Sequence, residues 1–161
     1  MTEALVRYVK IGIGFAVAWV LLYVWTSCGY QRIQGAEMAP AVPPNETHFI
    51  MIKERTPDVL APGDIVAFEY QLPQLKPPFA GRVMAFPGQR VKMSKGELYV
   101  NERKADTGGT PLGKPEDDFE EIIVPRDCYF IVMDNRNIGP KLDSRAIGPI
   151  GIGAVLGKVK K

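Results

Sequence analysis

Apolar residues are unevenly distributed along the chain, and the longest apolar segment lies near the N-terminus. Residues 11–31 contain no charged side chain and include the run Ile-Gly-Ile-Gly-Phe-Ala-Val-Ala-Trp-Val-Leu-Leu-Tyr-Val-Trp. This length meets the ~20 residues that a helix needs to cross a bilayer. Arg7 and Lys10 precede the run, and cationic residues favour the cytoplasmic side. We therefore predict a cytoplasmic segment at residues 1–10 and one transmembrane anchor at residues 11–31, with a cleaved signal peptide as the alternative.

After the anchor, the pattern changes to short segments of β-branched and aromatic residues separated by proline and glycine turns. Closely spaced short strands favour a coiled sheet or small barrel over a βαβ fold. Residues 32–161 are thus predicted to form one mostly β, extracytoplasmic domain. The predicted strands are residues 47–53, 61–70, 82–86, 90–93, 97–101, 122–124, 128–133 and 154–159. Residues 71–79, with three prolines, are predicted to be a loop or an extended edge, and residues 106–118 and 134–148 are predicted to be loops.

Composition narrows the possible functions further. The 16 glycines and 14 prolines among 161 residues favour a loop-rich domain built from strands. The net charge is only +2 and the basic residues are scattered, which argues against a nucleic-acid partner. Cys28 and Cys128 form no CxxC motif and His48 is the single histidine, so we predict no metal and no cofactor. A disulfide between the two cysteines stays open, because spacing alone cannot place their Cα atoms.

Four short motifs follow the anchor in a characteristic order. They are residues 35–40 (Gly-Ala-Glu-Met-Ala-Pro), residues 62–66 (Pro-Gly-Asp-Ile-Val), residues 82–88 (Arg-Val-Met-Ala-Phe-Pro-Gly) with 98–101 (Leu-Tyr-Val-Asn), and residues 133–136 (Met-Asp-Asn-Arg) with 143–145 (Asp-Ser-Arg). Together they resemble the type I signal peptidases, membrane-anchored serine/lysine proteases that remove leader peptides from exported proteins. The resemblance implies a signal-peptidase-like coiled β-sheet or small barrel behind one N-terminal transmembrane helix. The short spacing between motifs is similar to that of the small Gram-positive enzymes and the peptidases of conjugative pilins.

The chain departs from this family at both catalytic positions. The resemblance assigns the nucleophilic serine to the residue before Met38, which is Glu37, and the general-base lysine to the residue before Arg82, which is Gly81. Catalysis by such a dyad requires a hydroxyl and an amine that burial keeps neutral. Glu37 has no hydroxyl, Gly81 has no side chain, and the guanidinium of Arg82 stays protonated. We therefore predict that no catalytic dyad is intact.

The resemblance also implies residues that bind a peptide and residues that hold the scaffold. Relatives bind the leader as an extended strand, a β-augmentation mode. The candidate groove residues here are Met38, Pro40, Met84 and Phe86. The motif residues with a predicted structural role are Arg82, Pro87, Gly88, Asp134, Asn135, Arg136, Asp143, Ser144 and Arg145. We expect Asp143 and Arg145 to form an ion pair that holds their loop.

These expectations lead to one predicted function and two alternative functions. The prediction is a non-catalytic, signal-peptidase-like protein of the cytoplasmic membrane, with its domain on the periplasmic or extracellular side. Its predicted partners are the lipid bilayer and an exported protein, a pilin or a membrane-complex subunit, which it helps to assemble or chaperones. One alternative is a structural subunit of a larger membrane complex. The other is an active leader peptidase with a relocated Ser/Lys pair, with Lys53 or Lys76 as the candidate amine.

Overall fold

The computed structural model describes residues 2–33, 35–52, 54–70, 77–105, 118–135 and 143–160. The N-terminal apolar segment forms the helix α1 (Thr2–Ser27). Within α1, residues Leu5–Thr26 are long and apolar enough to cross a membrane, with a mean hydropathy of 1.8. The helix ends earlier than the predicted anchor, because Cys28 begins a strand that pairs with a later segment.

The rest of the described chain is mostly β, as predicted. The strands are β1 (Cys28–Ile33), β2 (Glu46–Met51), β3 (Ile65–Phe68), β4 (Phe79–Ala85), β5 (Arg90–Ser94), β6 (Glu97–Val100), β7 (Arg103–Lys104), β8 (Phe119–Ile123), β9 (Cys128–Val132), β10 (Ile150–Gly151) and β11 (Val155–Lys160). A short helix α2 (Ser144–Ile147) and a 3₁₀ turn (Ile152–Ala154) lie between β9 and β11.

The strands form two antiparallel sheets. The larger sheet has the order β1-β2-β11-β3-β4-β9-β10, and the smaller one has the order β7-β6-β5-β8. Every residue of β3 is buried, which explains why its sequence Ile-Val-Ala-Phe does not alternate with polar residues. β3 and β4 lie near the centre of the larger sheet and carry part of the motif residues 62–66 and 82–88, whereas the motif residues 98–101 lie at β6 of the smaller sheet.

Several element boundaries differ from the sequence prediction, and two of these differences have a common reason. The predicted anchor included residues 28–31, but these residues pair with β2 in register from Cys28↔Met51 to Gln31↔His48. The predicted strand at residues 82–86 begins earlier, at Phe79, because Phe79 and Ala80 pair with Phe68 and Ala67. In both cases a distant strand supplies the hydrogen bonds that fix the boundary.

The two cysteines are free thiols. Cys28 lies at the start of β1, where its Sγ is 3.5 Å from the Sδ of Met51. Cys128 lies at the start of β9, a strand of the same sheet that is separated from β1 by four others. The disulfide that the sequence left open is therefore not formed in this structure.

Candidate functional site

The turn that carries the nucleophile position is held by the residues just after β9. The amide of Asn135 donates to the carbonyl oxygen of Glu37 at 2.7 Å, and the Asn135 side chain donates to the carbonyl of Ala36 at 3.2 Å. Met38 is buried, and its Sδ lies 3.2 Å from the amide nitrogen of Asp134. These contacts fix the backbone on both sides of Glu37 to the Asp-Asn segment.

The side chain of Glu37 folds back over its own turn. A Cβ placed on Gly35 would overlap the Glu37 carboxylate, so only glycine leaves the space that this carboxylate occupies. Glu37 is half-buried in this position. The residue at the nucleophile position is thus a carboxylate packed against backbone, on a turn with little freedom to move.

The base position lies in the middle of the larger sheet and is filled by neighbouring side chains. Gly81 is in β4, directly paired with Val66 of β3. A Cβ at residue 81 would overlap Cγ2 of Ile131 and lie 3.2 Å from Cε1 of Phe68. Ile131 and Phe68 are both fully buried. The volume that a lysine would need is therefore occupied by core packing.

Arg82, the next residue, connects three of the motifs. Its Nε donates to Oδ1 of Asp134 at 2.9 Å, its Nη2 contacts Oδ2 of the same carboxylate, and its Nη1 donates to the carbonyl oxygen of Gly63 at 2.7 Å. The hydrogen bond that Arg82 donates to Asp134 raises the pKa of the Arg82 guanidinium. We call this set, Arg82 with Asp134 and Gly63, the arginine clamp. It joins the Pro-Gly turn before β3 to the segment that holds the Glu37 turn.

A second polar cluster lies in the core beside β9. Asp143 is fully buried and accepts hydrogen bonds from the amide of Met133 at 3.0 Å and the amide of Arg145 at 3.0 Å. The guanidinium of Arg145 pairs with it at 2.6 Å, which confirms the predicted ion pair. The hydroxyl of Ser144 accepts from the amide of Ile131 at 2.8 Å. Asp143 therefore caps α2 and anchors it to β9, and we call this the aspartate clamp.

The described lysines that have a close polar partner pair with carboxylates. The distances are 2.7 Å from Lys104 to Glu97, 2.6 Å from Lys158 to Asp64 and 3.3 Å from Lys160 to Glu54. Within the described ranges, no lysine amine hydrogen-bonds a serine or threonine hydroxyl. The proposed substitutes Lys53 and Lys76, like the motif residue Arg136, lie outside the described residues.

The four groove candidates lie in different parts of the structure. Met38 belongs to the larger hydrophobic cluster, whereas Met84 belongs to a second cluster under the smaller sheet. Phe86 packs edge-on against Tyr129 at a ring-centre distance of 5.6 Å. Pro40 is exposed. Phe86 also packs against the larger cluster that contains Met38, and a common groove formed by the four residues stays a prediction. Pro87 and Gly88 form the predicted turn, in which Gly88 has a φ of +79° and its amide donates to Val124.

An open cleft of about 610 Å³, which no sequence motif predicted, lies beside the Glu37 turn. One wall is the turn residues Pro40–Pro43, and the other comes from the first three strands of the larger sheet. The strand residues that line it are Tyr30, Glu46, Thr47, His48, Phe49, Val159 and Lys160. Because these side chains come from β1, β2 and β11, no local motif could have predicted their meeting.

Comparison with known proteins agrees with this architecture. A family model described as "Signal peptidase, peptidase S26" matches residues 5–161. Signal peptidase IB of Staphylococcus aureus (strain COL) is 27% identical over 167 aligned residues, which cover 91% of this chain and 84% of that protein. Signal peptidase I of Bacillus amyloliquefaciens is 26% identical over 122 residues, which cover 70% of this chain and 63% of that protein.

A solved structure is also similar to this chain. The crystal structure of a signal peptidase I from Enterococcus faecalis V583 matches with a TM-score of 0.49 and 24% identity, covering 63% of this chain and 97% of that one. The family model extends over the anchor, the Glu37 turn and both clamps. The chain therefore belongs to the peptidase S26 family of signal peptidases.

Proposed function

We propose that this protein is a non-catalytic member of the signal peptidase family that binds an exported or membrane-bound polypeptide and assists its assembly. Its helix α1 anchors it in the cytoplasmic membrane with the N-terminus inside. The β domain lies on the outer face, where exported chains emerge.

The observation that carries this proposal is the state of the two dyad positions. At the base position, Ile131 and Phe68 occupy the space that a side chain at residue 81 would need. At the nucleophile position, a carboxylate packs against Gly35 where a hydroxyl would be required. Loss of one member of such a catalytic set removes most of its rate enhancement, and both members are absent here.

The remainder of the site supports binding. Both clamps hold the Glu37 turn, β4 and β9 in a fixed arrangement without contributing a reactive group. β1 is an edge strand of the larger sheet and follows directly after the membrane helix. An edge strand offers unpaired backbone groups to an extended partner. A chain leaving the membrane next to α1 meets this edge and the adjoining cleft first.

The test measures cleavage and binding separately with the full chain in detergent. Leader peptides are incubated with the wild type and analysed by mass spectrometry, and their binding is followed by fluorescence anisotropy. A rebuilt variant, Glu37→Ser/Gly81→Lys/Ile131→Ala, restores both dyad members and removes the Ile131 side chain that overlaps residue 81. Its matched control, Glu37→Ala/Gly81→Lys/Ile131→Ala, has the same packing change but no hydroxyl.

The proposal expects a wild type that binds peptide without cleaving it, and cleavage in the rebuilt variant that the control lacks. Cleavage by the wild type would contradict the proposal and favour a relocated pair. A wild type that neither binds nor cleaves would instead favour a structural subunit whose cleft is covered by another protein.

A further inference from the structure

Glu37 differs from the other buried or half-buried carboxylates of the described residues, because it has no ion-pair partner among these residues. Within the described ranges, five other carboxylates are buried or half-buried, and each pairs with a lysine or arginine: Glu54, Asp64, Glu97, Asp134 and Asp143. The remaining described carboxylates are exposed: Glu3, Glu46, Asp58, Glu69, Glu102, Asp118, Glu120, Glu121 and Asp127. In this part of the chain, Glu37 alone is half-buried and has no ion-pair or hydrogen-bond partner on its carboxylate.

The turn holds this charge in a defined place. The Glu37 carbonyl accepts from Asn135, the neighbouring Ala36 carbonyl accepts from the Asn135 side chain, and Met38 is buried. Gly35 provides the space for the carboxylate itself. Arg82, a motif cation that the structure describes, is already committed to Asp134 and Gly63. The turn thus fixes the position of an anionic group that has no counter-ion among the described residues.

Covering such a group has a predictable cost. A polypeptide that docks over the turn removes the remaining water from the carboxylate, and burying an unpaired charge is strongly unfavourable. A cationic nitrogen at the contact removes this cost, because charge-assisted hydrogen bonds to a carboxylate are among the strongest in proteins. An apolar or acidic contact at the same place is rejected.

We propose that Glu37 is the recognition residue for a cationic nitrogen of the bound polypeptide, an inference that rests on the proposed binding function. The nitrogen comes from a lysine or arginine side chain or from a free α-ammonium group. Glu37 therefore selects partners by charge at the position where the family places its nucleophile.

The experiment measures binding of fluorescent extended apolar peptides to the full chain in detergent. Each peptide carries one lysine, arginine, glutamine or glutamate at successive positions, with a free or an acetylated N-terminus. Wild type is expected to prefer the best cationic peptide over its glutamine counterpart by about ten-fold, the value of one charge-assisted hydrogen bond. Glu37→Gln is expected to remove this preference, whereas Glu120→Gln, an exposed carboxylate on the smaller sheet, is expected to keep it.

An additional variant and N-acetylated peptides distinguish the possible roles of Glu37 and the possible sources of the nitrogen. Glu37→Lys is expected to reverse the preference in favour of glutamate peptides, which a merely structural role for Glu37 does not predict. Loss of affinity on N-acetylation identifies an α-ammonium ligand, and unchanged affinity identifies a side chain. Equal binding of cationic and neutral peptides by the wild type would overturn this inference and leave the proposed function intact. Absence of binding by any peptide would overturn both.

Discussion

Two regions that the family motifs bring together behave very differently in this molecule. At the dyad positions, Glu37 carries an unpaired carboxylate and Gly81 lies under a fully buried Ile131. At the two clamps, Arg82 pairs with Asp134, and Arg145 pairs with Asp143, both through close contacts to each carboxylate. The two positions that the resemblance assigns to the dyad carry no hydroxyl and no amine, whereas the charged side chains of the two clamps are paired. Different residues therefore form the clamps and the predicted dyad positions, so the two regions can be changed independently.

The aspartate clamp is expected to contribute most to the stability of the fold, because its ion pair is buried. Asp143→Ala removes the carboxylate that pairs with the buried Arg145 guanidinium and accepts from the amide of Met133. We expect a loss of about 3–5 kcal/mol in the free energy of unfolding, the usual cost of breaking a buried ion pair by removing one partner. Chemical denaturation of the full chain in detergent, followed by far-UV circular dichroism, measures it. Glu120→Ala serves as the exposed control, and an equal loss in both variants would contradict a special role for the clamp.

The packing around Gly81, at the predicted base position, gives a second test of this difference between the two regions. Gly81→Ala is expected to destabilise the fold by about 1–3 kcal/mol, because its Cβ overlaps Ile131 in a filled core. In an Ile131→Ala background the same change is expected to cost at least about 0.5 kcal/mol less, since the overlapping atom is gone. A double-mutant cycle of unfolding free energies tests this coupling. Strictly additive effects would show that Ile131 does not fill the base position.

The arginine clamp is partly open to solvent, so we expect a smaller effect there. Arg82→Gln removes the paired contacts to Asp134 and the hydrogen bond to Gly63. We expect a loss of about 1–3 kcal/mol, typical of hydrogen bonds to charged groups. The matched control is Arg90→Gln, which breaks an exposed 3.6 Å pair with Glu121 and is expected to cost below about 1 kcal/mol. If Arg90→Gln cost as much, the clamp would be no more than a surface ion pair.

Strand β9, which lies next to both clamps, contains a side chain that responds to alkaline pH. Tyr129 of β9 donates to the carbonyl of Arg55 at 2.8 Å, and burial, with a contribution from Asp58, raises its pKa to about 12 from 10.0. A raised pKa stabilises the folded state below pH 10.0, and this contribution disappears as the pH rises towards 12. Tyr129→Phe is expected to cost about 1 kcal/mol at neutral pH and progressively less above pH 10.0. A difference in the free energy of unfolding between the wild type and Tyr129→Phe that stays constant over this pH range would contradict the prediction.

The smallest effect on stability is expected at the nucleophile position. Glu37→Gln removes a charge that has no partner among the described residues, so the free energy of unfolding should change by less than about 0.5 kcal/mol. The same unfolding measurement, beside Asp143→Asn, contrasts a carboxylate that the fold uses with one that it does not. If Glu37→Gln lowered the free energy of unfolding as much as Asp143→Asn, Glu37 would stabilise the fold in the same way as the clamp residues.

The motif segments show how far local patterns predict this protein. The short segments of β-branched and aromatic residues predicted most of the longer strands, and the Pro87-Gly88 turn lies where it was expected. The Asp143–Arg145 pair was also expected, and it forms because Asp143 is the N-cap of the helix that carries Arg145. The common groove of the four candidate residues stays a prediction. The sequence did not predict that Met38 and Met84 pack into different clusters, because their neighbours depend on how distant strands pair.

Residue types and their short-range order predicted the apolar N-terminal helix and the mostly β domain, and they place Glu37 and Gly81 at the positions that the resemblance assigns to the dyad. Tertiary pairing was needed to show that residues 28–31 form an edge strand and that Ile131 fills the space beside Gly81. Tertiary contacts also show that Glu37 has no counter-ion among the described residues, whereas the other half-buried carboxylates of those residues have one. These outcomes depend on strand register, which sets the neighbours of each side chain across the sheet and which no local pattern encodes.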